Sequence, residues 1–542
     1  MYLGRADALL ARLRAQDEIS VRSRSHGAVA AVWTLAMELG IASIIDRHLQ
    51  VSGSRKRHHG TDSESHRTPP KKNDGLSVGE SLMLVSIGRA CHATSKMGFA
   101  DWATTTTLGD LAGVEVDNLI SQHFWDQMDQ LPVDGIDAIE RETVQGALKR
   151  FEIPLDLLLY DATNFFTFIA STNRRATLPA RGHNKQKRDD LRQVGVALLC
   201  TREHGIPLWH QTYEGQVADS KSFEVALPAV RQRFIDWQID LDKLTIVYDK
   251  GNVSKANQER IDRSGFHYLT GLTVASQKGL VEQANQQLEP VLLKNGKSVM
   301  AYRNKQTIWK RSRTVVVHIS ERLREGQIRG VLQHVDSAQR WLSKLADTLK
   351  RGKQRRSRSA IERDIENRLK GRQHLREVLR YQLLGEDPRL TLTYDFDQAA
   401  LDKLATETLG RLILATDKHD WSTSEIIESY RNQAAIEAVF AHLKDTDHIS
   451  LRPQFHWTDQ KLHVHVLTCM LGYLLARLLL LKAERAGGKF ASQEKLLDTL
   501  ERVRKATLLC DGGSKRKPRI LNRLEEVDPG VRDLLPALGI NC

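Results

Sequence analysis

The sequence has 542 residues, 41% of them hydrophobic, which is too long for one small module and too apolar for a disordered chain. Lys and Arg outnumber Asp and Glu by 80 to 67, and the net charge of +13 favours a polyanionic partner, nucleic acid being the commonest. Cys91, Cys200, Cys469, Cys510 and Cys542 are scattered, odd in number and form no CxxC pair, which argues against a disulfide frame or a zinc finger and for reduced thiols in a cytoplasmic protein.

The N-terminal MYLGRADALLARLRAQDE lacks the apolar centre of a signal peptide. Residues 1–150 read as mostly helical. Ala28 to Leu39 is an apolar helix ended by Gly40, and Leu76 to Ala90 is another, with Ser77 and Glu80 at capping-box spacing. Between them, residues 51–75 are polar, basic and rich in Gly, Ser and Pro, as in a solvated linker.

The pattern changes near residue 153. Leu155 to Tyr160 is a short apolar run typical of a buried strand. Gln193 to Cys200 and Ile206 to Tyr213 are two more strands, paired across the turn TREHG. A helix is expected over Ser220 to Phe234, a strand over Lys243 to Tyr248, a helix over 253–264 and a strand over His267 to Leu272. Three strands, helix, strand, helix, strand is the order of an RNase H-like core. Residues 276–420 interrupt it as a mixed insertion with strand-like TVVVHI (314–319) and a basic helical stretch at 350–376. An insertion this long is tolerable, because loop closure costs only about 0.6 kcal/mol per doubling of length. The core resumes with a helix from about Ser424 to Lys444. Val464 to Leu481 is the most apolar stretch, interrupted by His465 and Arg477, and reads as a buried helix rather than a membrane span. The expected divisions are a helical N-terminal domain (1–150), the first part of the core (151–275), the insertion (276–420), the second part of the core (421–485) and a helical C-terminal region (486–542).

Asp161 closes the first strand in LLLYDATNFF, and Asp249 closes the fourth in IVYDKGN. A carboxylate ending an apolar strand is costly to bury without a cation or donors, although either aspartate alone reads better as a turn residue. The third element is SYRNQAAIEAVFAHLK, residues 429–444. Tyr430, Glu437 and Lys444 are seven apart, a step that drifts about 20° on a helix, so they are expected on one face. Gln433 lies a turn before Glu437, while Ile436, Val439, Phe440 and Leu443 supply a docking face.

Together these features resemble the bacterial insertion-sequence DDE transposases that carry a Y-x2-R-x3-E-x6-K signature. Tyr430, Glu437 and Lys444 fall on that signature, and Gln433 stands at its Arg position. RSHGAVAAVW, SQHFWDQMD, YDATNFFTF, GHNKQKRDDLRQVGVAL, EGQVAD and LRPQFHWTDQKLHVHV look like the same family. The resemblance implies a metal-binding catalytic triad of Asp161, Asp249 and Glu437, with Mg²⁺ as cofactor and Mn²⁺ as its substitute. It also implies phosphate contacts from Tyr430, Lys444 and the residue at position 433. The implied activity is cleavage at the ends of a DNA element and joining of the 3′-OH ends to target DNA by two-metal-ion catalysis. Double-stranded DNA is then the partner, the DNA-bound form a homodimer, the N-terminal domain a DNA-end binder, and the location a bacterial cytoplasm, with nucleoid association when active. The alternatives are a metal-dependent nuclease of the same fold and a non-catalytic DNA-binding descendant.

Further DNA contacts are expected at His183, Lys185, Lys187, Arg188 and Arg192, between the first two strands. Lys353, Arg355, Arg356 and Arg358 are expected to touch the DNA backbone, since they lie too close together to pair with the few acids nearby. His456, His463 and His465 do not have a standard zinc spacing and read as structural or DNA-contacting. Trp102 and Trp125 read as core.

Overall fold

In the computed structural model, the described residues are 19–52, 75–170, 172–184, 186–351, 356–387, 389–451, 455–510 and 519–540. The linker expected within 51–75 lies almost wholly outside them. The chain divides into two compact units. The first holds residues 1–246, 263–266 and 432–542, and the second holds 247–262 and 267–431.

The first unit opens with strand β1 (Ile19–Ser25) and a run of helices: α1 (Gly27–Glu38), α2 (Ile41–Ser52), α3 (Val78–Cys91), α4 (Phe99–Thr104), α5 (Leu108–Ala112), α6 (Ser121–Gln130) and α7 (Val133–Arg150). The expected capping box starts α3, with Ser77 and Glu80 satisfying each other's backbone N–H. Strands β2 (Leu157–Thr167), β3 (Arg192–Thr201) and β4 (Pro207–Glu214) follow, each antiparallel to the next, and α8 (Asp219–Asp236) packs on β3 and β4. β5 (Thr245–Tyr248), which carries the chain from the first unit into the second, then leads to α9 (Lys255–Ser264) and β6 (His267–Leu272). This is the order of strands and helices expected for an RNase H-like core, in a mixed α/β chain.

The second unit adds α10 (Lys278–Gln286), β7 (Glu289–Leu292), β8 (Ser298–Ile308), β9 (Arg311–Ile319), α11 (Glu321–Lys350), α12 (Arg358–Leu369), α13 (Leu375–Val378), β10 (Leu379–Glu386), β11 (Arg389–Phe396), α14 (Gln398–Glu407), β12 (Arg411–Thr416) and α15 (Thr423–Arg431). Its sheet runs β6-β12-β9-β8-β7, with Ile413, Val315 and Val317 in one core against α10. A second core joins α11, α12, α14 and the β10–β11 hairpin through Val335, Leu342, Ile361, Ile365, Leu392 and Leu401. The insertion therefore builds its own interior. The stretch expected as one basic helix over 350–376 is instead the end of α11, the start of α12 at Arg358, and a turn after Leu369.

The chain returns to the first unit with α16 (Gln433–Lys444), α17 (Asp459–Arg485), α18 (Gln493–Glu501), β13 (Arg504–Cys510), β14 (Arg519–Leu524) and α19 (Pro529–Arg532). α17 is the one helix among the described residues long and apolar enough to cross a membrane, yet its apolar window is 94% buried among α1, α3, α6, α7 and β4. Gly472 permits this packing, because a Cβ there would lie 2.7 Å from the Ser86 carbonyl oxygen of α3. The C-terminal region corrects the expectation of helix: after α18 it forms the β13–β14 hairpin, and β1 adds as a third strand. The pairing partner comes from the other end of the chain, so no local pattern announces it.

A buried ion cluster ties α7 to β4 and α8. Glu140 accepts from Arg233 Nη1 at 2.6 Å and pairs with His210, with Glu140 and Arg233 no more than 5% exposed. Burial pushes the Glu140 carboxyl up, but His210 and Arg233 outweigh it and hold the group down at about 2.

Candidate active site

Asp161 lies in the middle of β2, not at its end as expected, because the strand continues through ATNFFT to Thr167 while β3 pairs with it as far as Arg192. Side chains alternate along a strand, so Asp161, Thr163 and Phe165 point to one face. α16 packs on β2. Its Lys444 Nζ donates to Thr163 Oγ1 at 2.6 Å and stands 5.5 Å from the Phe165 ring centre. Ile436, Val439, Phe440 and Leu443 are buried along the docking side of α16, as the spacing predicts, and Glu437 is exposed. One carboxylate on a strand face and another on the helix docked to that strand thus belong to the first unit.

Asp249 and Tyr430 belong to the second unit. Asp249 ends β5 and precedes a short 3-10 turn at Lys250–Asn252. The Tyr430 hydroxyl donates to Asp249 Oδ1 at 3.3 Å. α15, which carries Tyr430, packs on β6, β12 and β9. Its hydroxyl comes so close to β6 that a Cβ at Gly271 would lie 2.7 Å from it.

The expected single helix from Ser424 to Lys444 is two helices, split at Asn432. At the break the Asn432 carbonyl accepts from Ala435 N at 2.8 Å, while its side chain makes no capping hydrogen bond. Glu437 and Lys444 share α16, whereas Tyr430 lies before the break. Gln433, the first residue of α16, has a buried Nε2 with no hydrogen-bond partner among the described residues.

The cations singled out from the sequence are placed differently. His183, Lys187 and Arg188 are exposed on the loop before β3, and Lys185 lies outside the described residues. Arg188 is held bidentate by Asp190, both bonds 2.8 Å, and Arg192 donates from both terminal nitrogens to the Asn173 carbonyl at 3.2 Å. In the insertion, Lys353 and Arg355 lie outside the described residues. The expectation that acids there are too few to pair is corrected for the other two. Arg356 pairs with Asp364, and Arg358 donates to the Leu383 and Gly385 carbonyls at 3.0 and 2.8 Å, with Glu362 at 3.6 Å. His456 and His465 are buried and stacked, with ring centres 4.3 Å apart. Trp102 is buried, and Trp125 is half-buried.

The carboxylate oxygens of Asp161, Asp249 and Glu437 are the hard donors that Mg²⁺ prefers, so their chemistry fits such an ion. Among the described residues no three His, Cys, Asp or Glu side chains are gathered into a ready-made metal cage.

A family model described as the transposase DDE domain matches residues 156–475. The chain belongs to the DDE transposase family. The match takes in Asp161, Asp249 and Glu437, as well as the whole second unit. No curated protein matches the sequence significantly. Among solved structures, the transposase is similar to a piggyBac transposase synaptic complex with hairpin DNA, at 9% identity, covering 86% of this chain and 79% of that one, with a TM-score of 0.41. It is also similar to a pre-cleavage Mos1 transpososome, at 11% identity, covering 44% of this chain and 76% of that one, with a TM-score of 0.16. At these scores the likenesses carry no argument about chemistry. Two neighbours of the candidate residues, Thr163 beside Lys444 and Gly271 beside Tyr430, were missed in the sequence. Thr163, two residues after Asp161 on a strand, was open to the alternation rule, whereas Gly271 had no local signal.

Proposed function

We propose that this transposase binds the ends of a DNA element, cleaves phosphodiester bonds there and joins the freed 3′-OH ends to target DNA. Asp161, Asp249 and Glu437 are the residues that would hold the divalent cation, Mg²⁺ or in its place Mn²⁺. What supports this reading most is that the helix carrying Glu437 docks on the strand carrying Asp161, within one DDE-domain match. Two such ions, when bound, supply activation of the attacking oxygen and stabilisation of the leaving one.

The chain's own groups divide the remaining work. Lys444, oriented by Thr163, offers a compact positive charge to the phosphate beside the scissile bond. Gln433 takes the place of the family's arginine as a phosphate contact. Tyr430 orients Asp249 through its hydroxyl. His183, Lys185 and Lys187 meet the DNA backbone, and residues 1–150 contribute to binding the element's end. The DNA-bound form is a homodimer, because two ends must be held together, and it works on the bacterial nucleoid.

The test supplies pre-cut end DNA, a supercoiled target and Mg²⁺, and looks for joined product. Joined product is expected. An enzyme that nicks end DNA efficiently but never joins this substrate across a range of targets and salts is a nuclease instead.

A further inference from the structure

Just beyond the end of β2, the first unit exposes Phe168 against Phe455, and a third large aromatic side chain, Trp457, two residues further along the chain. Phe168 is 50% exposed, Phe455 55% and Trp457 56%, and the Phe168 and Phe455 ring centres are 6.0 Å apart. Exposed aromatic rings set side by side point to an interaction site.

His456 and the Trp457 carbonyl anchor this segment. His456, between Phe455 and Trp457, points inward and is 5% exposed. Its Nε2 is 3.1 Å from Lys96 Nζ, its ring stacks on His465, and the Trp125 ring stands 5.2 Å away, edge-on. His456 is buried between two exposed neighbours, Phe455 and Trp457. The Trp457 carbonyl accepts from Asn173 Nδ2 at 3.1 Å, and Asn173 Oδ1 in turn accepts from Arg175 N at 2.7 Å. This brings Arg174 and Arg175 beside the aromatics. Both are exposed, and neither has an ion pair among the described residues. The nearby carboxylate, Asp459, is occupied by the Thr177 and Leu178 backbone N–H groups at 2.8–3.0 Å.

Exposed rings flanked by free guanidiniums fit one ligand class well. Bases stack on rings through their π-faces, and guanidiniums take the phosphates. A duplex hides those faces, so the ligand must be unpaired. We propose that Phe168, Phe455 and Trp457, with Arg174 and Arg175, bind a single strand of DNA, as is exposed where a duplex end is opened. This rests on the reading of the protein as a DNA transposase.

The test measures binding of the full-length protein to a labelled single strand of about twenty nucleotides, long enough to cross an aromatic-lined groove, and to the matching blunt duplex. Trp457→Ala and Phe455→Ala should each weaken single-strand binding about tenfold, a typical loss for one stacked base. Duplex binding should change less than twofold, and Trp457→Phe should restore most of the loss. Equal losses on both DNAs, or none on either, overturn the proposal. So does a change of oligomeric state in Trp457→Ala on size-exclusion chromatography, which would mark the patch as a contact between copies. A wild type that binds duplex ends but not single strands sinks the platform alone. A wild type that binds neither sinks the transposase reading with it.

Discussion

Replacing Gly271 with alanine should disable Asp249 without touching it. The new Cβ would sit 2.7 Å from the Tyr430 hydroxyl oxygen and 3.3 Å from Cζ. Carbon needs about 3.5 Å to a non-bonded neighbour. β6 cannot yield, since Gly271 pairs with Leu414 of β12 inside the sheet, so the tyrosine must swing away. The 3.3 Å hydrogen bond to Asp249 Oδ1 is then lost. Hydrogen bonds to charged groups contribute about 1.5–3 kcal/mol, and the length of this one places it at the low end, about tenfold in rate. Single-turnover cleavage of end DNA should therefore slow about tenfold in Gly271→Ala, and by a similar factor in Tyr430→Phe, which loses the same bond. In the double variant the oxygen that the Cβ strikes is gone and the bond is already absent, so the loss should stay near tenfold. A loss near a hundredfold, the product of two independent effects, would refute the coupling. If Tyr430→Phe instead weakens DNA binding as much as it slows cleavage, the hydroxyl serves a phosphate and not Asp249.

Three other outcomes follow from the same geometry. Asp161→Ala, Asp249→Ala and Glu437→Ala should each abolish Mg²⁺-dependent cleavage while leaving end-DNA binding largely intact in a mobility-shift assay, and substantial cleavage by any one removes that residue from the mechanism. Lys444→Met keeps a good helix former and loses the ammonium, so it should reduce joining of pre-cut ends more than it alters circular dichroism; Thr163→Val, which frees the lysine from its 2.6 Å bond, should show a milder form of the same defect. Glu140 carries a depressed folded-state pKa, about 2 against an ordinary 4.5, so its stabilisation, roughly 3 kcal/mol, is full above the unfolded value and fades as pH falls from about 4.5 towards 2. Urea unfolding should show Glu140→Gln well below wild type at pH 7 with the gap narrowing at pH 3, and a gap independent of pH would contradict the ion cluster.

The core strands were legible because burial on both faces writes them as apolar runs: LDLLLY, QVGVALLC and KLTIVY need no partner to be recognised. What continues β2 past Asp161 is different. DATNFFT is half polar, and it stays extended because Arg192 to Leu198 of β3 pair with it. β1 shows the extreme case, since its partner is β13, with Ser25 opposite Arg504, at the other end of the chain. The helix break at Asn432 was hidden for the opposite reason. A seven-residue spacing describes a face only while the helix is continuous, and one Asn between two helix-forming runs signals a cap no more strongly than it signals a tolerated interior residue.

Charge was the least reliable guide, and the reason is physical. Sequence density locates cations but not their partners. Arg356 and Arg358 stand in a dense basic run, yet Asp364 and the hairpin carbonyls of β10 take up their donors. Arg188 is similarly held by Asp190. Arg174 and Arg175 drew no attention in the sequence, but they are exposed and without ion pairs among the described residues, beside three exposed aromatic rings. A guanidinium already forked onto a carboxylate must break two bonds before it can meet a phosphate, whereas a hydrated one exchanges only water and counterions. By that measure the surface beyond β2 should contribute more to the salt dependence of DNA binding than Arg356 and Arg358 do. Replacing Arg174 and Arg175 together with alanine should flatten the log–log salt slope by up to about 0.7 per contact on single-stranded DNA. Replacing Arg356 and Arg358 should leave the slope nearly unchanged and instead loosen the insertion's own fold. The reverse pattern would show that the ion pair to Asp364 and the carbonyl bonds of Arg358 give way when DNA arrives.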